Sequence, residues 1–198
     1  MLAGGRSHRL GRDKLGELVG GRSLLQRVLD CVVPLTPEVI LVVAQDQVPP
    51  VSLPRGVRVV VDLYSGRGPL VGIYSGLRAV RRLAAGLVVG GDMPFLNASL
   101  LCYLIGLADE ADAIVPRVDN LVEPLHAVYS PACLDVIGAM LEEGSLSVMG
   151  LLERVKVRYV EEGELRRLDP ELLSLFNVNT EAALRKARRI ADRGVGHD

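Results

Sequence analysis

Four short stretches of this sequence combine glycine with cationic, carboxylate or amide residues in ways that suit a phosphorylated ligand. The first is LAGGRSHRLGRDK, residues 2–14. Gly4 and Gly5 let a backbone pass close to a ligand and Gly11 allows a tight turn, while Arg6, Arg9 and Lys14 add positive charge at the same end. Clustered N–H groups and cations suit a polyphosphate. The stretch is not a Walker A loop, because five residues separate Gly5 from Gly11 and Arg12-Asp13 precede Lys14. On composition alone it also reads as an arginine-rich flexible start.

The second is GGDMPFL, residues 90–96, where Asp92 closes an otherwise apolar run. A lone carboxylate there is either a ligand for Mg2+, which prefers one or two carboxylates plus phosphate oxygens and water, or the N-cap of the next helix. The third is VDLYSGRGPLVGI, residues 61–73, in which Asp62 can accept hydrogen bonds from a base or ribose, or simply take part in a turn with Gly66 to Pro69. The fourth is FNVNT, residues 176–180, which holds two of the chain's four asparagines. On a strand Asn177 and Asn179 point to one face and line a polar cleft; the other reading is that Asn179 and Thr180 cap the last helix, and capping is the expectation for at least one of them. No nucleophile–base pair stands out: His8, His126 and His197 lack metal-ligand spacing, and no Ser or Cys lies in an elbow motif. That absence fits phosphoryl or nucleotidyl transfer, where positioning and charge neutralisation do most of the work.

Such residues need a scaffold, and the apolar runs supply one. EVILVVA (38–44), VRVVVD (57–62), AGLVVGGD (85–92) and ADAIVPR (111–117) are apolar on successive residues, as in strands covered on both faces. Between them, Ser23 caps a helical stripe of Leu24, Leu25, Val28, Leu29 and Val32 that Pro34 and Pro37 end. Leu70, Ile73, Leu77, Val80 and Ala84 form a second stripe, and a helix over 98–108 with Asn97 as cap forms a third. This rhythm predicts an α/β fold with a mostly parallel central sheet and helices on both faces. Beyond Arg117, PLHAVY (124–129) reads as a strand and 131–143 as a helix. RVKVRYVEE (154–162) reads as an edge or half-exposed strand, and the segment from Thr180 as a basic amphipathic helix. In such sheets ligands sit beyond the carboxyl ends of the strands, where all four stretches fall.

Composition narrows the class further. At 198 residues and 49% hydrophobic content, one domain over 1–198 is expected. A formal net charge of -1 argues against a general nucleic-acid binder. The widely spaced Cys31, Cys102 and Cys133 argue against a disulfide framework or zinc site, and no run is long enough to span a membrane. A cytoplasmic location is expected.

Taken together, LAGGRSHRLGRDK, DLYSGRGPLVGIYSGL, VVGGDMPFL, PLHAVY and FNVNTEAAL resemble the molybdenum cofactor guanylyltransferases, in order and over nearly the whole chain. The first motif alone indicates only the wider nucleotidyltransferase superfamily. The resemblance implies a Rossmann-like three-layer fold with a mostly parallel central sheet, and transfer of GMP from GTP to the phosphate of molybdopterin, with release of pyrophosphate. It places Leu2, Ala3, Gly4 and Gly5 against the nucleotide, with Lys14 at its phosphates. Asp62 becomes a nucleotide contact, and Asp92 both a nucleotide contact and the Mg2+ ligand. Arg6 and Arg9 join Lys14 and Asp92 in the catalytic set, and Asn177 and Asn179 fall on the acceptor side. The nucleotide-binding half is expected over about 1–110 and the acceptor half over about 111–198. A polar contact after the second strand falls on Gln45 or Asp46. Related cytidylyltransferases carry Ala where this chain has Gly4, which favours GTP over CTP. An accessory protein that binds nucleotide without turnover is the alternative of a different class. Transient contact with other proteins of molybdenum cofactor biosynthesis is also implied, and no contact with nucleic acid or membrane. The resembling proteins have apolar residues before their Leu-Ala-Gly-Gly, whereas Met1 directly precedes Leu2 here, so a start slightly upstream is the expectation.

Overall fold

A computed structural model describes residues 1–3, 14–62, 68–81 and 84–194. Each apolar run becomes a strand. β1 (Leu18–Val19) and β2 (Arg22–Ser23) form a small hairpin, followed by β3 (Val39–Val43), β4 (Val57–Val61) and β5 (Gly86–Val89). β6 (Ala113–Val118), β7 (Leu121–Val122), β8 (His126–Tyr129) and β9 (Val157–Glu161) complete the set. The helices are α1 (Leu24–Val32), α2 (Pro69–Ala79), α3 (Ala98–Gly106), α4 (Ala132–Glu142), α5 (Val148–Leu152), α6 (Glu162–Leu168) and α7 (Glu181–Gly194). Their starts follow elementary capping chemistry. Ser23 Oγ accepts from the Gln26 N–H and Asn97 Oδ1 from the Leu100 N–H, satisfying first-turn donors that the helix itself leaves open. Gly68 sits at φ 96° ahead of Pro69, a conformation that glycine alone adopts without strain, and it turns the chain into α2.

Side by side the strands run β4, β3, the stub Met1–Ala3, β5, β8, β6 and β9. β3 pairs β4 in parallel, Leu2 bridges in parallel to both Val42 and Gly90, and β6 pairs β9 in parallel. β8 is antiparallel to both its neighbours, β5 and β6, and β7 folds back on β6. The sheet is therefore mixed ladder by ladder: the apolar run of β8 marks burial on both faces but does not encode direction. α1, α3 and α6 cover one face and α2, α4 and α5 the other. On the second face Leu70, Ile73, Val115, Tyr129, Ile137 and Leu151 share one buried cluster that spans early and late elements. Among the described residues, no helix is long and apolar enough to cross a membrane.

The stub is short but well paired. The Met1 amino group donates to Ile40 O (2.9 Å), the Leu2 N–H to Val89 O (2.9 Å) and the Ala3 N–H to Val42 O (2.8 Å). A cavity of about 790 Å3 lies at its amino end, lined by residues that begin β3 and β5, such as Val39, Ile40 and Leu87, and roofed by Ile73 and Leu77 of α2. It is at the amino ends of the strands, opposite the edge where the four polar stretches emerge.

Candidate active site

At the carboxyl edge of the sheet three distant stretches meet on Lys14. Its Nζ donates to Asp92 Oδ2 at 2.6 Å and to Asn179 Oδ1 at 2.9 Å. The lysine side chain is 20% exposed and the aspartate 15%, so the pair is shielded yet open on one side. Lys14 is placed by a 3-10 turn, Lys14–Gly16, anchored by the buried Leu15. Asp92 follows β5 through Gly90 and Gly91. A Cβ on Gly90 would lie 2.8 Å from Asp92 Oδ1, and one on Gly91 would lie 3.1 Å from Leu2 O. Only glycine lets the loop fold this tightly against the stub and turn the carboxylate back over it. The Gly91 N–H donates to Leu2 O (2.8 Å), which ties Leu2 and Ala3 to the Asp92 loop.

The C-terminal stretch is delivered to the same place by α7. Val178 is buried with Leu184, Ala187 and Ala191 of that helix, and its N–H donates to the Asp92 carbonyl (2.9 Å). Phe95 and Phe176 meet beside it with centroids 6.1 Å apart. Arg27 clamps the loop by donating to Pro94 O (2.9 Å). Residues 177–180 form no strand, which corrects the expectation that Asn177 and Asn179 share a strand face; the Val178 backbone is committed to the Asp92 loop instead. The capping alternative falls to Thr180, whose Oγ1 accepts from the Ala183 N–H (3.1 Å), while Asn179 turns to Lys14. Asp92 is likewise no N-cap, since Asn97 caps α3.

Asn177 leads to a residue that sequence reasoning missed. Its Nδ2 donates to Glu123 Oε2 (3.0 Å), and the Leu125 N–H donates to Glu123 Oε1 (3.3 Å). Burial pushes the Glu123 carboxyl above the usual carboxylate range, and the Asp92 carboxylate adds to the rise, while the hydrogen bonds from Leu125 and Asn177 oppose it. The signal available was a charged residue directly before the apolar PLHAVY run. After β3, Gln47 Nε2 donates to Ala3 O (3.0 Å), and Gln45 and Asp46, the residues expected to offer a nucleotide contact, lie in the turn just before it. Asp62 leaves β4 at the same edge; its N–H donates to Val43 O (2.8 Å), and Ser75 Oγ makes a long contact of 3.4 Å to its carboxylate. Gly4, Gly5, Arg6 and Arg9 lie outside the described residues.

Among the described residues no group of three or more His, Cys, Asp or Glu side chains is arranged to hold a metal ion. The Asp92 carboxylate, with Lys14 beside it and one side open, fits an ion that brings most of its ligands as water and phosphate oxygens. His126, the single described histidine, is fully buried and neither ring nitrogen has a hydrogen-bond partner. It is no general base for this site.

A Rossmann-like sheet with a lysine paired to a carboxylate that follows two glycines at its carboxyl edge defines a nucleotidyltransferase type of site. Comparison with known proteins narrows the class: residues 1–158 match the family model of the MobA-like NTP transferase domain, and the chain belongs to that family. It is 34% identical to the molybdenum cofactor guanylyltransferase of Desulfosudis oleivorans, over 98% of this chain and 95% of the relative. It is 38% identical to a probable molybdenum cofactor guanylyltransferase of Pelotomaculum thermopropionicum, over 97% and 92%. Among solved structures, molybdopterin-guanine dinucleotide biosynthesis protein A from Archaeoglobus fulgidus superposes with a TM-score of 0.81 at 27% identity, covering 97% of each chain.

Proposed function

We propose that this chain transfers GMP from GTP to the phosphate of molybdopterin, releasing pyrophosphate and forming molybdopterin guanine dinucleotide. The observation that carries the reading is the convergence of Lys14, Asp92 and Asn179, drawn from the start, middle and end of the chain onto one ammonium group. Similarity over nearly full length to relatives named for this activity supports it.

In this reading Leu2 and Ala3, whose backbone groups are taken up by the sheet, Gly91 and Gln47, border the nucleotide and lead into Gly4 and Gly5, which also contact it, and Asp62 contacts it at the β4 edge. Asn177 and Asn179 face the acceptor. An oxygen of the molybdopterin phosphate attacks the α-phosphorus of GTP in line; the bond from that phosphorus to the bridging oxygen of the β-phosphate breaks, and its electron pair leaves with pyrophosphate. No enzyme nucleophile is needed. Lys14, with Arg6 and Arg9, stabilises the charge that grows on the leaving group. Asp92 would hold Mg2+, which when bound supplies neutralisation of phosphate charge. The nucleotide side falls in about 1–110 and the acceptor side in about 111–198, joined by one core.

The test is pyrophosphate release by the purified protein with GTP, Mg2+ and molybdopterin, with CTP in parallel. Turnover with GTP and none with CTP is expected. Equal turnover with CTP overturns the guanine assignment, and nucleotide binding without pyrophosphate release overturns the enzymatic one.

A further inference from the structure

The two asparagines of FNVNT are held by opposite ends of their amides. Asn179 accepts from Lys14 through Oδ1, and since an ammonium only donates, no other orientation of that amide serves. Its Nδ2 is left to donate, as a phosphate oxygen requires. Asn177 is held the other way round. Its Nδ2 donates to Glu123 Oε2 at 3.0 Å and to Leu175 O at 3.2 Å, and a backbone carbonyl only accepts. Both amide hydrogens of Asn177 are thereby used. Its Oδ1 bonds to none of the described residues, and the buried side-chain polar atoms without a partner among them belong to His126 alone, so Oδ1 of this half-buried residue is not sealed off.

Glu123 is in turn fixed. Its carboxylate accepts from the Leu125 N–H, and its own backbone is tied on both sides, the Glu123 N–H donating to Pro116 O (3.0 Å) and the His126 N–H to Glu123 O (3.1 Å). The Gly90 N–H donates to Leu125 O (2.9 Å), which sets this turn against the Asp92 loop. A carboxylate clamped this way, 54 residues from its asparagine in sequence, defines the direction of an amide at the reacting edge.

We propose that Glu123 is a positioning residue for the acceptor: it locks the Asn177 amide so that Oδ1 alone meets the acceptor, and the site therefore selects an acceptor with an N–H or O–H donor at that point as well as a phosphate. This rests on the guanylyl-transfer reading above, with Asn177 on the acceptor side. The pair Asn177 and Asn179 then reads a donor group and a phosphate oxygen separately, which a simple phosphate monoester without the donor does not satisfy.

The experiment compares wild type with Glu123→Ala and Glu123→Gln, each confirmed folded by circular dichroism. Three readouts are taken: KM for GTP, KM for molybdopterin, and the Asn177 side-chain amide resonances of the free protein. In E123A the acceptor KM is expected to rise about tenfold, the scale of one lost hydrogen bond, with KM for GTP held within about twofold. E123Q keeps one acceptor oxygen and should fall between. The Asn177 amide signals should shift and exchange faster in E123A. Parallel rises in both KM values, or unmoved Asn177 resonances, overturn the proposal. A wild type that releases no pyrophosphate sinks the guanylyl-transfer reading instead. Direct titration with molybdopterin then decides the role of Glu123: weaker binding to E123A than to wild type supports it, and equal or absent binding to both refutes it.

Discussion

Lys14 and Asp92 form an ion pair short enough that each defines the other's position, at 2.6 Å with both side chains mostly shielded. A carboxylate that is to hold a cation beside a triphosphate must share or surrender this partner, and the lysine has an obvious destination on the phosphates. Replacing Asp92 with Ala removes the proposed Mg2+ ligand and leaves Lys14 with Asn179 as its remaining partner of the two. Turnover is expected to fall at least about a hundredfold, the scale seen when a preorganised charge is removed from a reacting centre. The fold should survive, because Asp92 holds Val178 through its backbone carbonyl, which Ala retains. Steady-state pyrophosphate release and a far-UV circular dichroism spectrum check the two halves of this prediction; near wild-type turnover would remove Asp92 from the mechanism.

At the scale of elements, the glycines after β5 matter as much as the charged groups they carry. A Cβ on Gly90 would meet Asp92 Oδ1 at 2.8 Å and Met93 Cγ at 3.3 Å, and Met93 is fully buried, so the aspartate is the neighbour able to give way. Gly90→Ala is therefore expected to lower turnover about tenfold or more and to cost about 1–3 kcal/mol of stability as overpacking. Gly106→Ala, at the end of α3 with nothing within 4 Å of the added Cβ, is the control: activity unchanged, with stability equal to or above wild type by up to about 1 kcal/mol. Assays of both variants alongside urea unfolding distinguish a local displacement from a general cost of losing glycine. These elements also show what the sequence makes readable. Strand runs such as VILVV and caps such as Ser23 and Asn97 are local signals, set within a few residues, and they appear where expected. Partnerships between elements are not local. Lys14 and Asn179 are 165 residues apart, and Glu123 meets Asn177 only because β8 runs against its neighbours and its turn comes back to the carboxyl edge. An apolar stretch reports that a strand is buried, not which way it runs, so Glu123 stayed hidden although PLHAVY was seen.

For the molecule as a whole, His126 couples pH to folding. It lies on β8 in the middle of the sheet with no exposure and no hydrogen-bond partner on either ring nitrogen, and burial pushes its pKa down to about 4 despite an opposing pull from the Asp169 carboxylate. In the unfolded chain it titrates near its ordinary value of about 6.5. Between these values the unfolded state binds the proton and the native state does not, so this group's stability term is fully present above about pH 6.5 and is lost as pH falls toward 4. The interval corresponds to about 3 kcal/mol, a large share of the marginal stability of a single domain. Glu123 acts with the opposite sign: its raised carboxyl pKa favours the native state at low pH and works against it as pH rises through the folded value. The two are separated by His126→Leu, which fills similar space without orphaned polar atoms and leaves Glu123 in place. Because an unpaired buried polar group costs about 1–3 kcal/mol, the variant is expected to be at least as stable as wild type at pH 7. Its unfolding free energy should also fall much less steeply between pH 6.5 and 4. Urea titrations at half-unit pH steps measure both quantities; identical pH slopes for the two proteins would show that the acid sensitivity of this fold arises somewhere other than the buried histidine.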